Sequence, residues 1–139
     1  EKAQRLGIED HVVFTGRISD RERDALYVAA DVAVFPSLYE PFGIVALEGM
    51  VRGTPVVVSD TGGLSEVVRH EETGLKVYPG DSDSLGWGIK RVLLDESLRT
   101  RLSENGPKEV KERFNWGRVA DLTREVYRRI SSEARDVPW

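Results

Sequence analysis

The sequence predicts an α/β domain: a parallel sheet with helices on both faces, followed by a run of C-terminal helices. Three observations carry this. Short apolar runs rich in valine recur at residues 12–14, 32–35, 56–58 and 75–77, starting about twenty residues apart. Amphipathic segments of helical length separate them, which is the β-α-β rhythm of parallel neighbours. The runs are continuous rather than alternating, as strands buried on both faces require.

Taken in order, residues 20–30 form the first amphipathic segment, opened by Ser19 or Asp20 as cap, with Ser19 and Glu22 spaced for a capping box. Residues 42–52 follow the second apolar run and end at Gly53. Residues 64–70 give a short third helix that stops before Gly74. After Gly80 the period is helical throughout: residues 81–94, 96–114 and 116–135 carry spacings such as Leu85-Ile89-Leu93 and Val119-Leu122-Val126-Ile130. Gly106-Pro107 predicts a break or kink in the middle one. Asn115 is placed to cap the last, Trp116 reads as a packing residue at its start, and Trp87 reads as core.

The 139 residues suffice for one ordinary domain and are too few for two. A 40% hydrophobic and 32% charged composition is that of a globular protein, and no apolar run approaches the ~18 residues of a membrane span. The absence of cysteine excludes disulfides and thiolate metal sites and fits a cytoplasmic setting. A net charge of −4 argues against a general nucleic-acid surface. His11 and His70 have no metal-ligand neighbours in the sequence, so no metal site is expected. The chain starts in mid-helix without methionine, which reads as one partial domain, residues 1–139, of a longer protein.

The most informative stretch runs from Glu40 to Glu48. Glu40 follows a buried-strand pattern, Pro41 and Gly43 mark a turn, and Glu48 falls between one and two turns into the next helix. In open α/β sheets the crevice beyond the carboxyl ends of the strands is where ligands bind. The free amides of Phe42, Gly43, Ile44 and Val45 at the helix start suit an anion such as a phosphate. Thr61-Gly62-Gly63 follows the next strand, at the same sheet edge, where glycine lets backbone approach a ligand. Arg17 and Ile18 end the first apolar run.

This segment resembles the E-x7-E signature of retaining glycosyltransferases of the GT-B fold, the glycogen-synthase and sucrose-synthase-like group (glycosyltransferase family 4, group 1). The resemblance runs from about His11 to Tyr127 and keeps the family's order: His11-Val12-Val13-Phe14-Thr15-Gly16, Ala30-Asp31-Val32, Pro36-Ser37, the Glu40 to Glu48 segment, Gly53-Thr54-Pro55-Val56-Val57-Val58, Thr61-Gly62-Gly63 and Thr73-Gly74. The wording Glu40-Pro41-Phe42-Gly43 leans towards the α-glucan synthases.

The resemblance implies a Rossmann-like fold, the donor-binding C-terminal half of a GT-B enzyme, and a transferase activity in the full-length parent. It implies an ADP- or UDP-sugar as donor substrate, no separate cofactor, and a glycan or other hydroxyl acceptor held by an N-terminal domain absent here. By that resemblance Glu40 is the catalytic residue, in contact with hydroxyls of the donor sugar. Glu48 binds the nucleotide ribose, while Gly43, Ile44 and Val45 meet phosphate and donor sugar. The backbone near Arg17 and Ile18 meets the base, and Glu66 is structural. Retention would proceed by front-face substitution, with the leaving phosphate helping to deprotonate the acceptor. In the family's strand order, 3-2-1-4-5-6, the run at residues 12–14 loses its neighbours. The unpaired edge is therefore expected to favour a dimer, and the isolated chain is expected to be inactive. The family's arginine and lysine clamp on the diphosphate would precede Glu1, and no basic residue adjoins the visible motif. Two alternatives are a non-catalytic nucleotide-sugar binding or assembly module and another GT-B enzyme such as a UDP-N-acetylglucosamine 2-epimerase.

Overall fold

The computed structural model describes residues 1–133. A short helix α1 (Lys2–Arg5) and a 3-10 turn at Glu9–His11 precede α2 (Asp20–Ala29). Then come β1 (Ala33–Phe35), α3 (Ile44–Val51), β2 (Val56–Ser59), α4 (Gly62–Val67) and β3 (Leu75–Val77). Three helices follow, α5 (Ser82–Leu94), α6 (Glu96–Arg113) and α7 (Trp116–Glu133). The strands form one parallel sheet in the order β1-β2-β3, with Val34 opposite Val57 and Val58 opposite Lys76.

The sheet separates two apolar clusters, and β2 feeds both because alternate side chains point to opposite faces. Val56 and Val58 join Ala46 and Met50 of α3 with Leu64 and Val67 of α4. Val57 joins Leu75 and Val77 of β3, Val92 of α5, and Leu98 and Leu102 of α6. All three valines are fully buried, each worth on the order of 1.5–3 kcal/mol. The capping box at Ser19 and Glu22 is formed in full: the Ser19 hydroxyl accepts the Glu22 amide and Glu22 accepts the Ser19 amide at 2.8 Å. Asn115 caps α7, its Oδ1 accepting the Arg118 amide at 2.8 Å.

Four expectations are corrected. Residues 12–14 form no ladder, and Val13 and Phe14 are exposed. A strand exists only through a partner's amides and carbonyls, and none of β1, β2 or β3 pairs with this segment. The helix α6 runs through Gly106-Pro107 unbroken. There Gly106 lies against α3 so closely that a Cβ would stand 3.3 Å from the Met50 carbonyl oxygen, and this packing offsets the hydrogen bond that Pro107 cannot make. Trp87 is half exposed, while Gly88 and Val92 are the residues of α5 that are buried. Trp116 is 86% exposed, because α7 buries none of its described residues. The predicted end of α7 at Arg135 lies outside the described residues. Among the described residues no helix is long and apolar enough to cross a membrane.

Candidate functional site

The site is built where two loops leave the carboxyl ends of β1 and β2. After Phe35 the chain runs through an extended loop to Glu40, turns at Gly43 with φ 78°, and enters α3 at Ile44. The helix thus begins two residues later than its apolar pattern suggests, with Gly43 rather than Phe42 at its mouth. Gly43 is buried and its amide donates to Glu40 Oε1 at 3.3 Å, so the Glu40 carboxylate is turned towards the helix start. No side chain caps α3. The amides of Ile44 and Val45 open its first turn, where an α-helix has no internal acceptors. Phe42 and Ile44 are exposed and Val45 is half-buried.

The second loop locks onto the first. The Gly63 amide donates to the Glu40 carbonyl at 2.7 Å, and the Thr61 hydroxyl donates to the Leu38 carbonyl at 3.3 Å. A Cβ on Gly62 would stand 2.2 Å from the Glu40 carbonyl oxygen, and one on Gly63 would stand 2.4 Å from the Phe42 carbonyl carbon. These two glycines sit in the first turn of α4 rather than in a free turn. Their small size lets α4 seat against the Glu40 loop, a structural reason for glycine at both positions.

Glu48 stands in the second turn of α3, half-buried. Arg23 of α2 reaches it, with Nη1 3.5 Å from Glu48 Oε1. The same guanidinium pairs with Asp20 at 3.0 Å and Asp24 at 3.3 Å, and Arg52 at the end of α3 pairs with Asp24 in turn. Tyr27, one turn beyond Arg23, packs on the core and points its hydroxyl towards the Val45 carbonyl. Burial, and then the negative charge of Glu48, push the Tyr27 phenol above its ordinary value. The reading that no basic residue adjoins the motif is therefore overturned. Arg23 could have been found from Tyr27: residues four apart share a helix face, so a core tyrosine carries Arg23 to α3.

Arg17 and Ile18 do not end a strand, since none forms there; they lie in the coil before Ser19, Arg17 exposed and Ile18 half-buried. Among the described residues no hydrogen bond or ion pair joins them to Glu40 or Glu48. Glu66 is exposed on α4. A cleft of about 740 Å³ opens elsewhere, beside the end of β3, lined by residues including Asp60, His70, Lys76, Tyr78 and Trp87. It includes neither acid of the motif. Its charged pair is already satisfied: Lys76 Nζ lies 3.3 Å from Asp60 and donates to the Ser65 carbonyl at 2.7 Å. The two acids lie instead at the loop before α3 and within its second turn. Among the described residues no group of three or more His, Cys, Asp and Glu side chains is placed to hold a metal ion.

A family model described as "Glycosyl transferases group 1" matches residues 1–109. An uncharacterized glycosyltransferase of Methanocaldococcus jannaschii is 49% identical over 123 residues, covering 88% of this chain and 32% of that protein. Among solved structures, sucrose-phosphate synthase of Thermosynechococcus elongatus superposes with a TM-score of 0.83 at 41% identity, over 95% of this chain and 33% of that one. The Anabaena protein HepE, solved with UDP-glucose, superposes with a TM-score of 0.78 at 31% identity, over 94% of this chain and 35% of that one. The chain thus spans about a third of the length of the proteins it matches.

Proposed function

The chain belongs to the glycosyl transferases group 1 family, and on that premise we propose that it is the donor-binding part of a retaining hexosyltransferase. The donor is an ADP- or UDP-sugar, with glucose the sugar proposed, and the acceptor is a hydroxyl of a glycan. The wording Glu40-Pro41-Phe42-Gly43 favours an α-glucan. The observation that carries this reading is the pair of acids on either side of the α3 start, beyond the carboxyl ends of parallel strands. HepE, a structural relative solved with UDP-glucose, supports the same donor chemistry.

Each group has a role set by what the reaction demands. The amides of Ile44 and Val45 stabilise charge on the leaving diphosphate, being already oriented at a helix start. Glu40, aimed at that start through the Gly43 amide, accepts hydrogen bonds from hydroxyls of the donor sugar and faces the positive charge that develops on the ring. Glu48 accepts from the ribose. Retention by a double displacement would need a second carboxylate about 5 Å from the first across the anomeric carbon. Glu48 is assigned to the ribose instead, so the substitution is front-face, with the leaving phosphate taking the acceptor's proton. The donor is a substrate, and no cofactor enters the scheme. The lack of cysteine supports a cytoplasmic setting.

The test is to supply the full-length protein with ADP-glucose or UDP-glucose and an α-glucan primer. Product would be followed by NMR of the anomeric proton. An α-linked product from an α-donor is the expected result. Nucleotide-sugar binding with no transfer to any hydroxyl acceptor would favour a binding module instead.

A further inference from the structure

We infer that Arg23 is a positioning residue for Glu48 and thereby sets the preference of the site for a ribose over a sugar lacking its hydroxyls. The inference rests on the reading of Glu48 as the ribose acceptor. Arg23 Nη1 approaches Glu48 Oε1 at 3.5 Å, an ion pair without a hydrogen bond. The carboxylate is held in direction by charge while its oxygens keep capacity to accept from a hydroxyl.

The guanidinium is itself aimed from behind. Asp20 holds Nη1 at 3.0 Å and Asp24 holds Nη2 at 3.3 Å, and Arg52 fixes Asp24 from the end of α3. This brings Nη1 to Glu48 while Nε is buried without a hydrogen-bond partner. A buried donor left unpartnered is destabilising. The unpartnered Nε marks a guanidinium whose orientation is set by its Nη atoms and the carboxylates that face them. The fork of a guanidinium also fixes direction, which a lysine ammonium does not. Removing Arg23 would leave Glu48 free to rotate and would remove the one cation within 4 Å of its carboxylate among the described residues.

The experiment uses the full-length protein and calorimetry with ADP and UDP, each against its 2′,3′-dideoxy analogue, in wild type and four variants. The wild type is expected to prefer the ribonucleotide, and Glu48→Gln is expected to lose that preference. Arg23→Leu is expected to reduce it about fivefold, the scale of a partly exposed ion pair, with Arg23→Lys recovering part of it. Arg52→Gln breaks the tie from the end of α3 to α2 while leaving Asp20 and Asp24 on the Arg23 guanidinium, and is expected to keep the preference. If Arg23→Leu keeps the wild-type preference while Glu48→Gln loses it, the role of Arg23 is wrong and the ribose reading stands. If Glu48→Gln keeps the preference, the ribose reading itself fails. If Arg52→Gln loses as much as Arg23→Leu, the effect belongs to helix docking and Arg23 positions nothing.

Discussion

The carbonyl of Glu40 accepts the amide of Gly63 at 2.7 Å, so the residue that carries the proposed sugar contact is held by the start of the neighbouring crossover helix. The carboxylate of Glu40 meanwhile accepts from Gly43, at the start of its own. Both helix starts, α3 and α4, are thereby registered on one residue, and neither can shift without moving Glu40.

Gly63→Ala should expose this coupling. Its new Cβ would stand 2.4 Å from the Phe42 carbonyl carbon, a backbone atom that cannot step aside. Overpacking of this kind costs about 1–3 kcal/mol, and donor affinity should fall with it because the α3 start is pushed away. Gly86→Ala is the companion. Nothing lies within 4 Å of a Cβ there, so an alanine inside α5 should stabilise the protein by about 0.5–1 kcal/mol. Urea titrations of both variants would check the opposite signs.

Glu40→Gln in the full-length protein should lower kcat at least ~100-fold, a barrier change of about 2.7 kcal/mol. Nucleoside diphosphate affinity should change little, since the proposed contact is to the sugar. Steady-state kinetics beside calorimetry separates the two effects, and unchanged turnover would remove Glu40 from the site.

Local signals were legible in the sequence wherever the answer was local. The Ser19-Glu22 capping box, the three valines of β2, and the placing of Glu48 one to two turns into α3 all follow from spacing alone. The misses are questions of partnership. Residues 12–14 have a strand's composition and no strand to pair with, and Trp116 has an aromatic's packing potential with no surface above it. Arg23 was missed because its partner Glu48 lies on another helix. Gly62 and Gly63 were legible as glycines but not for their reason, since the backbone they approach is that of Glu40 and Phe42, twenty or so residues away.

Among the described residues Glu109 is the buried charged side chain, almost fully enclosed on α6, with Arg69 at 2.8 Å and Arg113 at 2.6 Å. Both arginines are half exposed, so water screens part of the pairing. Glu109→Ala should cost about 2–3 kcal/mol, below the range for a fully buried pair, because the cation left behind can still reach solvent. Glu109→Met, similar in volume and without charge, should recover part of it. Denaturant midpoints would show the order.

The acid side of the stability profile should contain a share from Asp60. The Ser65 hydroxyl first, and then the Lys76 ammonium with a smaller effect from His70, hold its carboxyl below the usual range. A carboxyl with a depressed folded value stabilises the protein fully above its unfolded pKa of about 3.9. That share is lost as pH falls through the lower folded value. Asp60 is half exposed, so the share is small, about 0.5–1 kcal/mol. Melting curves of wild type and Asp60→Asn should differ at pH 6 and converge as the pH falls through the lowered folded value.

The 139-residue chain alone should transfer no glycosyl group, bind nucleotide sugar no better than about millimolar, and self-associate. Proximity of acceptor to anomeric carbon can account for ~7–11 kcal/mol of a barrier, and nothing in residues 1–133 is assigned to hold the acceptor. Helix-start amides alone interact with an anion by about 2 kcal/mol at most. The association follows from surface: Val13 and Phe14 are exposed, β1 has an unpaired edge, and α7 displays Val119, Leu122, Val126 and Ile130 to solvent. A stripe of exposed apolar side chains along one helix favours association, and an open strand edge offers backbone groups for pairing. Light scattering across a concentration series should show a rising mass, and Leu122→Lys with Val126→Lys should lower it. A strict monomer that binds UDP-glucose at micromolar concentration would mean that these 139 residues already hold a complete donor site.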